Sequence, residues 1–336
     1  MLRKVFFPYI QGIAIGIGNI IPGVSGGTIA LILGIYERLL NAITNIRLKT
    51  VISFFYIFSK RDVFLEEMKK CDVVFLMQLL LGAVTAIFSL SYFFSYLLDF
   101  HREATFSFFT GLILFSVFVP YKMLTRRSYK EWIGLIVGVI FVVLLGVMQN
   151  MQEYNAVQQL QQKEVKVEQL QSSATKTLSY IQSDGQVTFT KYVIYFLAGI
   201  IAISAMILPG ISGSFVLLLI GLYYEILVAL KYFYFPTLIS FALGCVVGLL
   251  LFSHFLKWIL KHFFNVTLAF LIGLIIGSLY CMYPFKEIFY IHNVPFYTFP
   301  KLPDINMHFF VCLILFFVAG FVVLLLEKLS QYSTQQ

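Results

Sequence analysis

One short pattern occurs twice in this chain at matching places: Pro22-Gly23-Val24-Ser25-Gly26-Gly27-Thr28 and Pro209-Gly210-Ile211-Ser212-Gly213-Ser214, 187 residues apart. At the same offset Gly12 falls on Gly199, Gly34 on Gly221 and Tyr36 on Tyr223. A second block repeats at an offset of 162, setting Gly82 on Gly244, Ser91 on Ser253, Thr105 on Thr267, Gly111 on Gly273 and Tyr121 on Tyr283 without a gap. The change of offset locates 25 extra residues in the first half, between about Asn41 and Val73. Duplication of this length marks a repeated membrane fold rather than a short solenoid unit.

The background of the repeat agrees. In 336 residues, 60% are hydrophobic and 12% charged, and the long apolar runs are membrane-span candidates. The net charge of +8 is not a nucleic-acid stripe, because the cations sit in short loops beside apolar runs. Cys71, Cys245, Cys281 and Cys312 have no ligand spacing and read as packing residues, so no metal or cofactor is expected. Arg3 and Lys4 before an apolar run resemble a signal peptide, but no small-residue cleavage site follows and the segment is expected to stay.

Each half reads as five apolar elements: 5–21, 24–40, 73–98, 104–121 and 132–148, then 192–208, 211–230, 237–256, 266–284 and 308–326. A straight helix from Pro8 to Leu40 would be about 50 Å long, against a hydrocarbon core of about 30 Å, so a hairpin folded at the glycines is expected. Such a hairpin returns the chain to its starting side. One face then receives Arg3, Lys4, six Lys or Arg between Asn41 and Asp72, Lys122, Arg126, Arg127, Lys130, Lys257 and Lys261. The other receives Arg102, Lys231, Lys286 and Lys301 in its short loops. By the positive-inside bias both termini are expected in the cytoplasm. Three crossings and one hairpin per half invert the second half relative to the first. The expected fold is therefore an all-α polytopic membrane protein of two inverted repeats, 1–148 and 192–336, each with one re-entrant Pro-Gly hairpin and three transmembrane helices. Whether a hairpin stops at mid-membrane or reaches the far face leaves the topology the same. Residues 149–191, rich in Gln and balanced in charge, read as a polar extracytoplasmic linker.

The motif has a chemistry of its own. Proline ends the incoming helix and glycine permits the sharp return. Ser25, Gly26, Gly27 and Thr28 then open a new helix whose first N–H groups have no intrahelical partner. Small residues leave those donors accessible, hydroxyls add to them, and a helix start favours an anion such as phosphate. Gly210, Ser212, Gly213 and Ser214 supply the second copy, and Gly23 the first turn. If both tips meet, their dipoles sum to about one positive charge, against the roughly 1.5 to 2 negative charges of a phosphomonoester. The alternative is that the glycines only permit tight helix packing. Asn19, replaced by Met206 in the second copy, is a polar amide beside the turn that needs a partner. Tyr36, Glu37, Arg38, Tyr223 and Glu225 follow the hairpins as gating or coupling candidates, with an ordinary interfacial ion pair as the other reading of Glu37 and Arg38. Asp99, His101, Arg102 and Glu103 read as a solvated outer loop, and His254 as a side chain snorkelling toward water.

Through Gly18-Asn19-Ile20-Ile21-Pro22-Gly23-Val24-Ser25-Gly26-Gly27-Thr28 with Gly34-Ile35-Tyr36-Glu37, and Leu208-Pro209-Gly210-Ile211-Ser212-Gly213-Ser214 with Gly221-Leu222-Tyr223, the chain resembles the bacterial and archaeal polyprenyl-phosphate transporter family. The resemblance covers nearly the whole chain. It implies return of undecaprenyl phosphate, the carrier lipid of peptidoglycan and related polymers, from the outer to the cytoplasmic leaflet of the bacterial inner membrane. The expected partners are that lipid and the surrounding membrane lipids, with no nucleic acid, and with proton or sodium coupling as a candidate driving force. Two other classes compete. Membrane undecaprenyl-pyrophosphate phosphatases share a Pro-Gly-x-Ser turn followed by Arg, but Gly26 and Gly213 stand at that position here. With neither that cation nor an acid cluster evident beside the turn, hydrolysis is poorly supported and an enzyme is not expected. A small-ion transporter would use the same helix ends without a lipid tail.

Overall fold

Within a bilayer no water satisfies backbone N–H and C=O groups, so apolar spans must close their hydrogen bonds internally, as helices. The computed structural model describes residues 2–20, 25–46, 50, 61–125, 128–162, 189–291 and 294–334, so Pro22, Gly23 and Val24 of the first motif lie outside the described residues. The first half contains α1 (Leu2–Ile20), α2 (Gly26–Ile32), α3 (Tyr36–Thr44), α4 (Arg61–Lys70), α5 (Val73–Phe100), α6 (Arg102–Ser116), α7 (Phe118–Met123) and α8 (Tyr129–Gln162). The second contains α9 (Phe189–Ile207), α10 (Gly213–Leu219), α11 (Tyr223–Lys231), α12 (Phe235–His262), α13 (Phe264–Cys281) and α14 (Met307–Thr334). A short antiparallel hairpin, β1 (Lys286–Ile291) and β2 (Val294–Pro300), precedes α14. Among the described residues seven helices are long and apolar enough to cross a membrane, and the protein is a multi-pass membrane protein.

Four helices of the first half recur at the same length in the second. Helices α1 and α9 have 19 residues each, α2 and α10 have 7, α3 and α11 have 9, and α5 and α12 have 28. Packing repeats as well. A Cβ on Gly82 would collide with the Tyr9 carbonyl, and one on Gly244 with the Phe196 carbonyl, the equivalent atom of the second half. These glycines let α5 lie against α1 and α12 against α9 at backbone distance, as small residues do between membrane helices.

Contact register gives the helix directions. Gly12 meets Leu79 while Gly16 meets Ala83, so α1 and α5 run parallel and the chain between them returns to its starting side. Likewise Phe196 meets Gly244 while Ile200 meets Gly248, so α9 and α12 are parallel. The last two helices of each half are exchanged. Gly111 of α6 abuts Phe316 of α14, and Gly273 of α13 abuts Leu135 of α8, so the final helix of each half packs on the other half. Helices α5 and α6 are antiparallel, since Thr105 hydrogen-bonds the Leu97 carbonyl and the Phe94 and Phe109 rings meet at a tilt. So are α6 and α13, with Thr110 bonded to Met282 and Thr125 to Asn265. Chain direction at α14 is therefore opposite to that at α1, and both ends of the chain lie at one end of the bundle. Helix α13 is central: Leu271, Ile272, Leu274 and Ile275 are buried. Phe88, Tyr92, Leu251, Ile314 and Phe321 point outward, exposed because lipid rather than protein covers them.

Three expectations change. The runs 24–40 and 211–230 are not single helices: each breaks after two turns and bends, by 119° and 114°. Gly34 (φ 68°) and Gly221 (φ 76°) carry the break in left-handed backbone, which apolar composition does not reveal. The run 104–121 divides at Val117 into α6 and α7. Helix α8 continues to Gln162, so the beginning of the polar segment 149–191 extends a crossing helix. Residues 163–188 of that segment lie outside the described residues.

A valine at Gly82 or Gly244 is expected to push two backbones apart and destabilise by about 1–3 kcal/mol or more. Alanine at Gly34, where a Cβ meets nothing within 4 Å, should cost only the left-handed strain of about 1–2 kcal/mol. Thermal unfolding in detergent measures both, and equal effects would remove close approach as the role of Gly82.

Candidate functional site

The two motif copies meet. At the start of α2, Ser25 and Thr28 are buried with their hydroxyls 3.1 Å apart. Both are used by the other copy: the Gly210 N–H donates to Thr28 Oγ1 at 2.8 Å and to Ser25 Oγ at 3.3 Å. The Ser25 hydroxyl also reaches the Leu208 carbonyl at 3.2 Å, and Tyr36 Oη donates to the Ile207 carbonyl at 3.0 Å. Gly27 leaves room for that strand of chain, since a Cβ there would lie 2.6 Å from the Ile207 oxygen. Two of the first amides of α2 have partners as well. Asn19 Oδ1 accepts from the Gly26 N–H at 3.0 Å, which gives this amide the partner it needs, and Ser25 Oγ caps the Thr28 N–H at 3.2 Å.

The second copy is in a different condition. Ser212 stands at the N-cap of α10 without a side-chain capping bond, and its hydroxyl lies 2.8 Å from that of Ser214. Where α1 offers Asn19, α9 offers Met206, which supplies no amide oxygen to Gly213. Gly210, Ser212 and Ser214 open on a cavity of about 600 Å³ at the end of the bundle away from the termini. Its polar lining comes from four further places: Asp99 and Arg102 at the α5–α6 turn, Gln149 on α8, Lys286 on β1 and Tyr297 on β2. The Arg102 guanidinium lies over the Tyr297 ring, 3.5 Å from its centroid, and over Phe106 at 4.5 Å. Lys286 Nζ is 3.4 Å from Asn150 Oδ1, and Asn150 is itself buried.

Arg102 and Lys286 were not identified as site residues from sequence, where Arg102 read as part of a solvated loop. They are distant from the motif along the chain, and only the exchange of helices between halves, with the β hairpin, brings them to it. A cation therefore shares the cavity of the second turn, supplied from α6 rather than by the residue after the serine. The signal that could have found Arg102 is an interruption of the repeat: its equivalent at the offset of 162 is Phe264.

At the terminal end of the bundle a smaller cavity, about 90 Å³, is lined by Leu31, Tyr36, Glu37, Leu260, Phe264 and Leu268 among others. The gating candidates are dispersed. Arg38 pairs with Asp72 at 2.7 Å and lies over the Phe75 ring, whereas Glu225 accepts a hydrogen bond from Tyr195 Oη at 2.5 Å. Tyr223 stacks edge-on against Tyr224. His254 Nδ1 is 2.8 Å from the Leu250 carbonyl on its own helix. Among the described residues no three His, Cys, Asp or Glu converge as a metal site.

What the arrangement can do is hold an anion. Helix α10 has only 7 residues, so its far carbonyl end stands about 10 Å from its start and offsets part of the dipole. Full cations are the stronger contribution to the cavity, and two are present.

Comparison with known proteins follows the same line. The chain matches the family described as undecaprenyl phosphate translocase-like over residues 15–295. It is 37% identical over 279 residues to a polyprenyl-phosphate transporter of Vibrio cholerae serotype O1, covering 83% of this chain and 78% of that protein. It is 32% identical over 333 residues to a polyprenyl-phosphate transporter of Staphylococcus aureus, covering 96% and 95% of the two. No solved structure matches it. With its repeated motif, its membrane architecture and a matched segment that takes in both motif copies, the chain belongs to the undecaprenyl phosphate translocase-like family.

Proposed function

We propose that this protein transports a polyprenyl phosphate, undecaprenyl phosphate in particular, from the outer to the cytoplasmic leaflet of a bacterial inner membrane. The observation that carries the reading is the contrast between the two motif copies. Ser25 and Thr28 are consumed by contacts to Leu208 and Gly210, while Ser212 and Ser214 face a cavity of about 600 Å³. On this reading the phosphate enters beside Ser212, Gly213 and Ser214. Parting of the tips then hands it to Ser25, Gly26, Gly27 and Thr28, with Asn19, Gly23 and Gly210 shaping the passage. The prenyl tail stays in lipid throughout, so only the headgroup needs a polar route. The family match and the named relatives, which are transporters and not enzymes, support this reading.

The membrane arrangement belongs to the same proposal. Opposed directions of equivalent helices support two inverted repeats with re-entrant hairpins, the usual frame for alternating access. The cation count of the loops favours cytoplasmic termini, which sets the large cavity on the outer face and the small one within. Net inward transport requires downstream consumption of the lipid or an ion gradient. Glu37, at the small cavity, and Glu225, held by Tyr195, are the proposed coupling carboxylates, with Tyr36, Arg38 and Tyr223 as gating neighbours.

Purified protein in liposomes is expected to accelerate leaflet exchange of undecaprenyl phosphate and to release no phosphate from the pyrophosphate lipid. Phosphate release would support an enzyme instead, and movement of small ions without lipid exchange would support the ion-transporter class. Substituting Ser212 or Ser214 by Ala should reduce lipid-phosphate transport about two- to tenfold each, the value of one hydrogen bond, with folding intact. Thr28→Ala should weaken the contact between tips by about 1 kcal/mol and shift the conformational ratio about fivefold. Faster labelling of a Leu268→Cys probe by a water-soluble maleimide would report that shift. Unchanged labelling would remove the tip contact from the transport cycle.

A further inference from the structure

The two cavities occupy equivalent positions in the repeat yet differ in charge. Leu98, Arg102 and Phe106 of the large cavity correspond at the offset of 162 to Leu260, Phe264 and Leu268 of the small one. Leu218 corresponds to Leu31 at the offset of 187. In these pairs the leucines and Phe106 keep apolar counterparts, whereas neither cation is kept and Asp99 falls on Lys261, which does not line the small cavity. Phe264 stands where Arg102 would be, and Leu124 where Lys286 would be. Among the described residues lining the small cavity, the charged side chain is Glu37, whose equivalent is Tyr224.

The cations of the large cavity are built in rather than scattered on a surface. The rings of Tyr297 and Phe106 hold the Arg102 guanidinium in place, with its Cζ 3.5 and 4.5 Å from their centroids. Lys286 is placed by a β hairpin and by buried Asn150. Asp99 offsets one of the two positive charges, leaving an excess of one among these three side chains.

We propose that Arg102 and Lys286 make the large cavity a loading vestibule with high affinity for a phosphomonoester dianion. The small cavity, with Phe264 and Glu37, is a vestibule of low affinity from which the headgroup leaves. This rests on the transport reading above and adds that the two faces of the protein bind the same headgroup unequally. Unequal affinity does not by itself drive net transport. It sets the half-saturating lipid concentration at each face and is balanced by the equilibrium between the two conformations.

The test uses the full chain in proteoliposomes sorted to one orientation, with a short-chain polyprenyl phosphate supplied to one face at a time. Wild-type protein is expected to half-saturate at a lower concentration from the Arg102 face. Arg102→Gln should raise that value about tenfold or more, the loss of a charge-assisted hydrogen bond, and leave the opposite face little changed. Arg102→Lys, which keeps the charge, should recover part of the loss. Phe264→Arg tests the idea by gain: it should lower the half-saturating concentration from the opposite face. Equal half-saturation from both faces in wild-type protein would overturn the proposal. So would Arg102→Gln acting alike on both faces, as a purely structural role would. If wild-type protein moves no lipid phosphate at all, the transport reading falls, and this inference with it.

Discussion

Two buried hydroxyls join the two motif copies of this protein. Ser25 and Thr28 of one motif reach the Leu208 carbonyl and the Gly210 N–H of the other. In an apolar interior such groups are costly when unpartnered, so each tip satisfies the other. Because the chain must turn sharply at both tips, its backbone groups there cannot all be closed within a helix. Membrane proteins tolerate such broken backbone only where protein or a polar cavity receives it. The hydroxyls of the first motif are received by protein, whereas those of the second open on the cavity of about 600 Å³.

That difference arises from few residues. Asn19 against Met206 decides whether the first amide of the short helix has a side-chain acceptor. Gly27 against Ser214 decides whether the opposing backbone can approach, since a Cβ at Gly27 would lie 2.6 Å from the Ile207 oxygen. A near-exact duplication would make both ends of the molecule alike. These substitutions, with Arg102 and Lys286 on one side only, make the two ends chemically distinct within a common backbone plan.

Much of the architecture was legible because a duplication compares the sequence with itself. The offsets of 187 and 162 anticipate the starts of α1 and α9, and of α5 and α12. Gly82 and Gly244 align at the second offset, and the structure puts each where a neighbouring backbone comes close. The breaks at Gly34 and Gly221 were not read, because hydropathy runs through them unchanged and only positive φ betrays them. The exchange of final helices between halves was also hidden, since an apolar span carries little information about which neighbour it chooses. With it went Arg102, Lys286, Gln149 and Tyr297, whose convergence is a property of tertiary packing. The β hairpin at 286–300 lies in a connection between spans, which a search for spans passes over.

The exchange of final helices has a consequence for biosynthesis. Helix α6 leaves the ribosome long before α14, the partner against which Gly111 is shaped, and waits through nearly two hundred residues of further chain. A contact so distant in sequence forms late, whatever the order in which the spans enter the bilayer. The first half therefore cannot reach its final packing on its own, and the last 28-residue helix acts as the clasp that closes the molecule.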